Sequence, residues 1–279
     1  MFRTRLLSGI VLVAIQLLVL IVGGPLLLIV TGLISMIGLF EYYRALGLNK
    51  LPAASVGYAF TVIYYLYILS GDNCKQLSRI SGLKGGLFPL LTVIMLIALL
   101  FFYVLSYPKY PIEQIAELFF GPVYVSVMLS FIYQTRIYTH GKYLVWLIFL
   151  ASWGCDTCAY CAGRLFGKHH MSPVLSPKKT VEGAVGGIAG VFLLNLIYML
   201  VFRDHLSHLT TEDIVILSLC SCLAGLISMI GDLAASAIKR NVEIKDFGRL
   251  IPGHGGILDR FDSVIITAPV IYYLITLIV

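Results

Sequence analysis

Three aspartates stand where so apolar a chain would be expected to avoid charge. Asp232 lies in MIGDLAAS, and Asp259 and Asp262 lie three residues apart in ILDRFDS, on one face of any helix they share. A carboxylate at membrane depth is costly and marks a functional site by default. Oxygen-only donors suit a hard cation such as Mg²⁺, which keeps several waters and takes one or two carboxylates together with substrate phosphates. Between the aspartates runs SAIKRNVEIKDFGRLIPGHGG, which carries Ser236, Lys239, Arg240, Lys245, Asp246 and His254, with Arg260 following inside LDRFD. Cations mixed with carboxylates are equipment for phosphoryl groups. Bases alone would make a membrane-surface patch, and carboxylates alone an ion site. Asp232, Ser236 and Lys239 or Arg240 share a helix face by their spacing. The PGHGG stretch supplies backbone that can approach phosphate oxygens closely. Blander roles compete: Asp262 as a helix cap, Asp246 as a partner of its neighbour Lys245, and His254 as an incidental loop residue.

A second polar segment agrees with the first. In SPKKTVEG, Ser176, Lys178, Lys179 and Thr180 precede the glycine-rich EGAVGGIAG, and a helix N-terminus behind two lysines is a ready anion site, although a juxtamembrane anchor reads the same way. Upstream, Asp156, Tyr160 and Arg164 recur at four-residue spacing, so Asp156 is another intramembrane carboxylate. No G-x-x-x-x-G-K-[ST] occurs, which excludes a P-loop as nucleotide cradle. Cys155, Cys158 and Cys161 read C-x-x-C-x-x-C, but a closed zinc site needs a fourth ligand and none is evident nearby, so they read as small packing residues. Gly183, Gly186, Gly187 and Gly190 read as close helix packing, and such helices suggest a homodimer.

The elements that must position these groups are membrane helices. The chain has 279 residues, 59% hydrophobic and 12% charged, with a mean hydropathy of +0.94; soluble domains carry about twice that share of charge. Apolar blocks at roughly 5–22, 25–43, 52–70, 87–107, 116–135, 143–162, 182–202, 213–235 and 263–279 are each about long enough to cross a bilayer. The expected fold is therefore an all-α polytopic integral membrane protein of about nine transmembrane helices. It forms a single membrane-embedded domain over 1–279, with its motifs in roughly 150–279. The first block is followed too closely by the second to look like a removable signal peptide. With the N-terminus in the cytoplasm, fourteen of the 20 lysines and arginines fall on the cytoplasmic side and six beyond it. The loop carrying Lys75, Arg79 and Lys84 runs against that trend. Both polar segments then face the cytoplasm, where a basic face meets anionic lipid. Nucleic acid is a poor partner, because no soluble basic module exists to hold it.

Asp232–Asp262 holds ten of the chain's 34 charges in 31 residues. Its irregular pattern, Ser236, Lys239-Arg240, Lys245-Asp246, His254-Gly255-Gly256 and Asp259-Arg260-x-Asp262, resembles the hallmark of the CTP:phosphatidate cytidylyltransferases, or CDP-diacylglycerol synthases. Ser176-Pro177-Lys178-Lys179-Thr180, Glu182-Gly183 and Asp156-Thr157-x-Ala159-Tyr160 resemble further segments of that family. Size and hydropathy are similar to its bacterial members, and the three clustered cysteines are no part of its pattern. The resemblance implies transfer of CMP from CTP to phosphatidic acid at the inner membrane, giving CDP-diacylglycerol and pyrophosphate. It implies Asp232, Asp259 and Asp262 as holders of Mg²⁺, alone or with a second cation. Lys239, Arg240, Lys245, Asp246, His254 and Arg260 would then be catalytic, and Ser176, Lys178, Lys179, Thr180, Ser236, Asp156 and Tyr160 substrate-binding. Two rivals share some of these residues. An ion-coupled transporter could run through Asp156 and Asp232, and a CTP-dependent membrane kinase for a polyprenol or phytol would move the γ-phosphoryl group instead.

Overall fold

The computed structural model describes residues 2–70, 87–173 and 175–279, with side chains from Gly9 onward; the loop with Lys75, Arg79 and Lys84 lies outside the described residues. Helices follow the apolar blocks: α1 Phe2–Val22, α2 Gly24–Ala45, α3 Ala54–Ser70, α4 Leu87–Ser106, α5 Ile112–Ile137, α6 Gly141–Phe166, α7 Val181–Val201, α8 Thr211–Asn241 and α9 Leu258–Ile278. Among the described residues seven of these, α2 and α4 to α9, are long and apolar enough to cross a membrane. The apolar part of α1, Gly9–Val22, and α3 are shorter. The chain is thus an all-α polytopic membrane protein, with one antiparallel hairpin, β1 His170–Ser172 and β2 Ser176–Thr180, between α6 and α7.

Local chemistry sets the helix ends. Thr210 and Asp213 form a reciprocal capping box at the start of α8, and the Thr180 hydroxyl accepts from Gly183 N–H at the start of α7. Pro122, which has no N–H to give, opens a π turn inside α5 over Pro122–Val127. A second π turn, Leu150–Gly154, precedes Asp156 in α6. Two ends depart furthest from the hydropathy blocks, and both carry the motif. The helix expected to end at 235 runs to Asn241, and the helix expected to begin at 263 begins at Leu258. Polar partners satisfy these extra turns, which hydropathy alone does not register.

Contacts sort the helix ends into two groups, as antiparallel neighbours require. At one end Arg136 of α5 donates to Leu20 O of α1 (3.0 Å), and Tyr198 of α7 donates to Tyr143 O of α6 (2.9 Å). At the other, Arg44 of α2 donates to Phe247 O (2.8 Å), Lys179 pairs with Asp232, and the His254 ring lies beside Gly9 of α1. Both polar segments therefore share one end of the bundle, together with the start of α1.

Packing divides the bundle into two cooperating parts. Hydroxyl pairs join α2, α3 and α5: Ser35 with Tyr65 (2.7 Å), Thr61 with Ser126 (2.8 Å) and Tyr64 with Ser130 (2.9 Å). Such bonds help where lipid offers no hydrophobic drive between helices. In the other part α7 lies against α6 through its glycines, and a methyl group at Gly186 would overlap Ala162 while one at Gly190 would overlap Cys158. The glycines therefore serve close packing, as their spacing indicates. Cys155 is buried with its thiol on Gly225 O (3.6 Å) and Cys158 is half-buried against Gly190, whereas Cys161 is exposed, so the first two cysteines of the stripe pack as expected and the third does not. Gly186→Leu should force α6 and α7 apart at a cost of about 1–3 kcal/mol, read as a lowered thermal unfolding midpoint in detergent.

Candidate active site

Four carboxylates collect at the polar end of α6, α8 and α9. Asp232 lies nine residues before the end of α8, about 14 Å along its axis. Asp259 and Asp262 occupy the first turns of α9, and Asp156 follows the π turn of α6. Gly231 lets α8 approach α9 next to Asp232, since a methyl group there would stand 3.1 Å from Asp262 O. Ser263 bridges the other two: its hydroxyl lies 3.4 Å from Asp156 Oδ2, and its N–H donates to Asp262 Oδ1 at 2.8 Å. Asp262 is thus not the cap of α9. Sequence spacing alone relates Asp259 to Asp262; the convergence of three helices adds the rest.

Two of the carboxylates are neutralised. Asp232 forms an ion pair with Lys179, delivered by β2, with both side chains about a quarter exposed. Asp259 is almost wholly buried and fully used: Oδ1 takes Lys239 Nζ at 2.9 Å, and Oδ2 accepts the N–H groups of Phe247 (2.8 Å), Gly256 (2.9 Å) and, more weakly, Gly248 (3.4 Å). Lys239 also lies over the Phe247 ring, 5.3 Å from its centre. Gly255, at φ +88°, makes the turn that a side-chain residue would resist, with the Asp259 carboxylate packed beneath it. The PGHGG glycines thus accommodate the protein's own carboxylates. Neither Asp156 nor Asp262 has an ion-pair partner among the described residues.

Asp156 forms a wall between two cavities. One, of about 340 Å³, is lined by Asp156, Tyr160, Arg164, Lys178, Lys179, Thr180 and Asp232 among others. The other, of about 240 Å³, is lined by Trp153, Asp156, His254, Asp259, Arg260 and Asp262 among others. Arg260 is held through its backbone, whose carbonyl accepts from Trp153 Nε1 at 3.3 Å, and its buried Nε has no hydrogen-bond partner among the described residues. Thr180 caps α7 as well as lining the first cavity. Ser176 pairs with Ser172 in the hairpin, and Ser236 stands on α8 between Asp232 and Lys239. Lys245 and Asp246 are not brought to the carboxylates. They are exposed and line a separate pocket of about 590 Å³ with Arg44 and Arg249, while Arg240 donates to Ile244 O (3.3 Å) at the end of α8.

Sequence spacing gave no sign of Glu41, Arg44, Trp153 and Ser263. Ser263 directly follows Asp262, which is a signal only once α9 is known to begin at Leu258. Glu41 in GLFEYYRA was visible as a charge in an apolar helix, the same signal that singled out Asp232.

The donors fit a hard divalent cation in kind, all being carboxylate oxygens beside phosphate-binding cations. Among the described residues no three ligating side chains already close on one point. The unpaired Asp156 and Asp262 and the lysine-held Asp232 are the groups a cation would draw together.

Sequence comparison gives the same picture from another side. Residues 3–278 match the model of the cytidylyltransferase family. The chain is 32% identical over 273 residues to the phosphatidate cytidylyltransferases of Staphylococcus epidermidis and Staphylococcus haemolyticus, and 31% identical to that of Staphylococcus aureus. Each alignment covers 98% of both chains.

Removing one partner of a buried ion pair strands the other, at a cost of about 3–5 kcal/mol, against at most about 1 kcal/mol for an exposed pair. Lys239→Met should therefore lower the unfolding midpoint in detergent much more than Lys179→Met, because the Lys239–Asp259 pair is the more deeply buried.

Proposed function

The chain belongs to the cytidylyltransferase family, and on that premise we propose that it makes CDP-diacylglycerol, transferring CMP from CTP to phosphatidic acid. The observation that carries the site assignment is the juxtaposition of two unpaired carboxylates, Asp156 and Asp262, with two lysine-held ones, between cavities that both offer cations. A phosphate oxygen of phosphatidate attacks the α-phosphorus of CTP. The bond from that phosphorus to the bridging oxygen of the β-phosphate breaks, and pyrophosphate leaves with the electron pair. The attacking phosphate monoester already carries about −1.5 to −2 charge at neutral pH, so deprotonating a nucleophile is a minor task. Bringing two anions together while a third departs is the major one.

Lys178, Lys179 and Arg164, beside Tyr160 and the N-terminus of α7, hold the lipid phosphate in the larger of the two cavities. Arg260, whose Nε is free to donate, and His254 meet the nucleotide phosphates and the departing pyrophosphate across Asp156. Arg240, Lys245, Arg249 and Arg44 gather CTP at the outer pocket, with Asp246 beside them and Ser236 lining the approach along α8. Mg²⁺, alone or with a second cation, would be held by Asp232 and Asp262 with Asp156 beside them, and would neutralise phosphate charge that the lysines and arginines leave uncompensated. Asp259, expected as a third holder, is already taken by Lys239 and the loop amides and would instead fix that lysine and the loop. A lipid headgroup and a soluble nucleotide must meet at the membrane surface, and the polar end of the bundle carries both cavities. This favours an inner-membrane enzyme with the polar end of the bundle facing the cytoplasm, in keeping with the fourteen-to-six distribution of bases. A homodimer would need a face other than the glycines of α7, which are covered by α6 of the same chain.

Incubating the purified protein with CTP, phosphatidate and Mg²⁺ should give CDP-lipid and pyrophosphate. A phosphorylated lipid with CDP would assign it to the polyprenol-kinase class, and no nucleotide turnover would leave the transporter reading. Asp232→Asn and Asp262→Asn should abolish turnover with the protein still folded. Lys179→Ala should raise the KM for phosphatidate severalfold, and Arg260→Ala should chiefly lower kcat. A Lys179→Ala enzyme impaired only toward CTP would reverse the assignment of the two cavities.

A further inference from the structure

Glu41 is a carboxylate buried in the N-terminal half, 3% exposed, on a helix that contributes no motif. It reaches across the sequence to the start of α9, where Leu258 N–H donates to its Oε2 at 2.8 Å and the Ile257 amide faces the same carboxylate. The residue before α9 is Ile257, and no side chain from the loop caps that helix, so Glu41 supplies the acceptor. Its carboxylate also fills the space over two loop glycines: a methyl group at Gly248 or Gly256 would overlap it. The N–H groups of those same glycines point the other way, onto Asp259 Oδ2. Glu41 and Asp259 therefore grip the loop from opposite sides, and one turn along α2 Arg44 holds Phe247 O.

We propose that Glu41 is a positioning residue for nucleotidyl transfer, fixing the glycine loop and the first turn of α9 so that Arg260 and Asp262 face the reacting phosphates. This deepens the reading of the site given above and rests on it. It assigns the N-terminal half a task in the reaction, because α2 is itself anchored to α3 and α5 by the Ser35–Tyr65 bond and the Tyr43 hydroxyl on Leu118 O (2.6 Å). A carboxylate suits the position better than an amide. Two N–H groups face it, and the NH₂ of a glutamine would set a donor against one of them.

Glu41→Gln keeps the volume and removes one acceptor, and Gly248→Ala keeps the charge while displacing it. Each variant is purified and compared for kcat, for KM of each substrate and for trypsin cleavage at Lys245 and Arg249, which are exposed in the loop. Both should lower kcat by on the order of 10- to 100-fold, as a small misplacement of reacting groups does. Both should also speed loop cleavage severalfold and leave the phosphatidate KM within about twofold, because Lys178 and Lys179 stand on another element. Turnover and loop cleavage equal to those of the unaltered chain would overturn the proposal. So would an equal loss of phosphatidate affinity, which marks a general disturbance. If Glu41→Gln does not fold, Gly248→Ala decides; if neither folds, Glu41 holds the fold and not the site, and the proposal fails. Should the unaltered chain make no CDP-lipid, the proposed function fails while loop cleavage still tests whether Glu41 holds the loop.

Discussion

The buried carboxylate of Asp259 is the constraint on which the rest of the site depends. A charge removed from water must be compensated by hydrogen bonds and an opposite charge, or it will not stay ionised. Asp259 meets that requirement by drawing in Lys239 from the end of α8 and the amides of Phe247, Gly248 and Gly256 from the loop. Each of those partners fixes something else. Lys239 ends up over the Phe247 ring, and Gly255 must turn with positive φ. The first turn of α9 is drawn close to α8, which sets Asp262 beside Asp232.

The site then divides into compensated and uncompensated charge. Asp232 and Asp259 have lysines, whereas Asp156 and Asp262 share Ser263 and have no ion-pair partner among the described residues. In a low-dielectric setting like charges without counter-ions are expensive. Such an arrangement is relieved by taking up a proton or by a cation, and a reaction between two phosphates brings both a divalent cation and the need for one. Lysines and arginines line the cavity walls, and Asp156 lies between the two cavities, with Asp232 on one side and Asp259 and Asp262 on the other; on the proposed function the substrates meet across it.

Much of this was legible in the sequence because lipid imposes a strong rule. Every apolar block of helical length became a helix, and the charges that broke the rule, Asp156, Asp232, Asp259 and Asp262, are the ones the structure gathers. The glycine spacing of α7 announced a close helix contact, though not that α6 of the same chain makes it. The ends of α8 and α9 were not legible, since their extra turns are stabilised by Lys239, Glu41 and loop amides that hydropathy does not see. Nor was the separation of Lys245 and Asp246 from the carboxylates, because neighbours in a loop need not share a wall. Glu41 was visible as the one carboxylate in α2, but its partners stand more than two hundred residues away, and no local pattern connects them.

The central claim is that the carboxylate cluster is a divalent-cation site completed by substrate phosphates. Mn²⁺ reports on such a site directly through its electron paramagnetic resonance signal, and it can be titrated into the protein in lipid nanodiscs with and without CTP. The account predicts saturable binding that tightens with CTP and is lost, or weakened at least about tenfold, in Asp262→Asn. The same binding curve for the unaltered chain and for Asp262→Asn would contradict it.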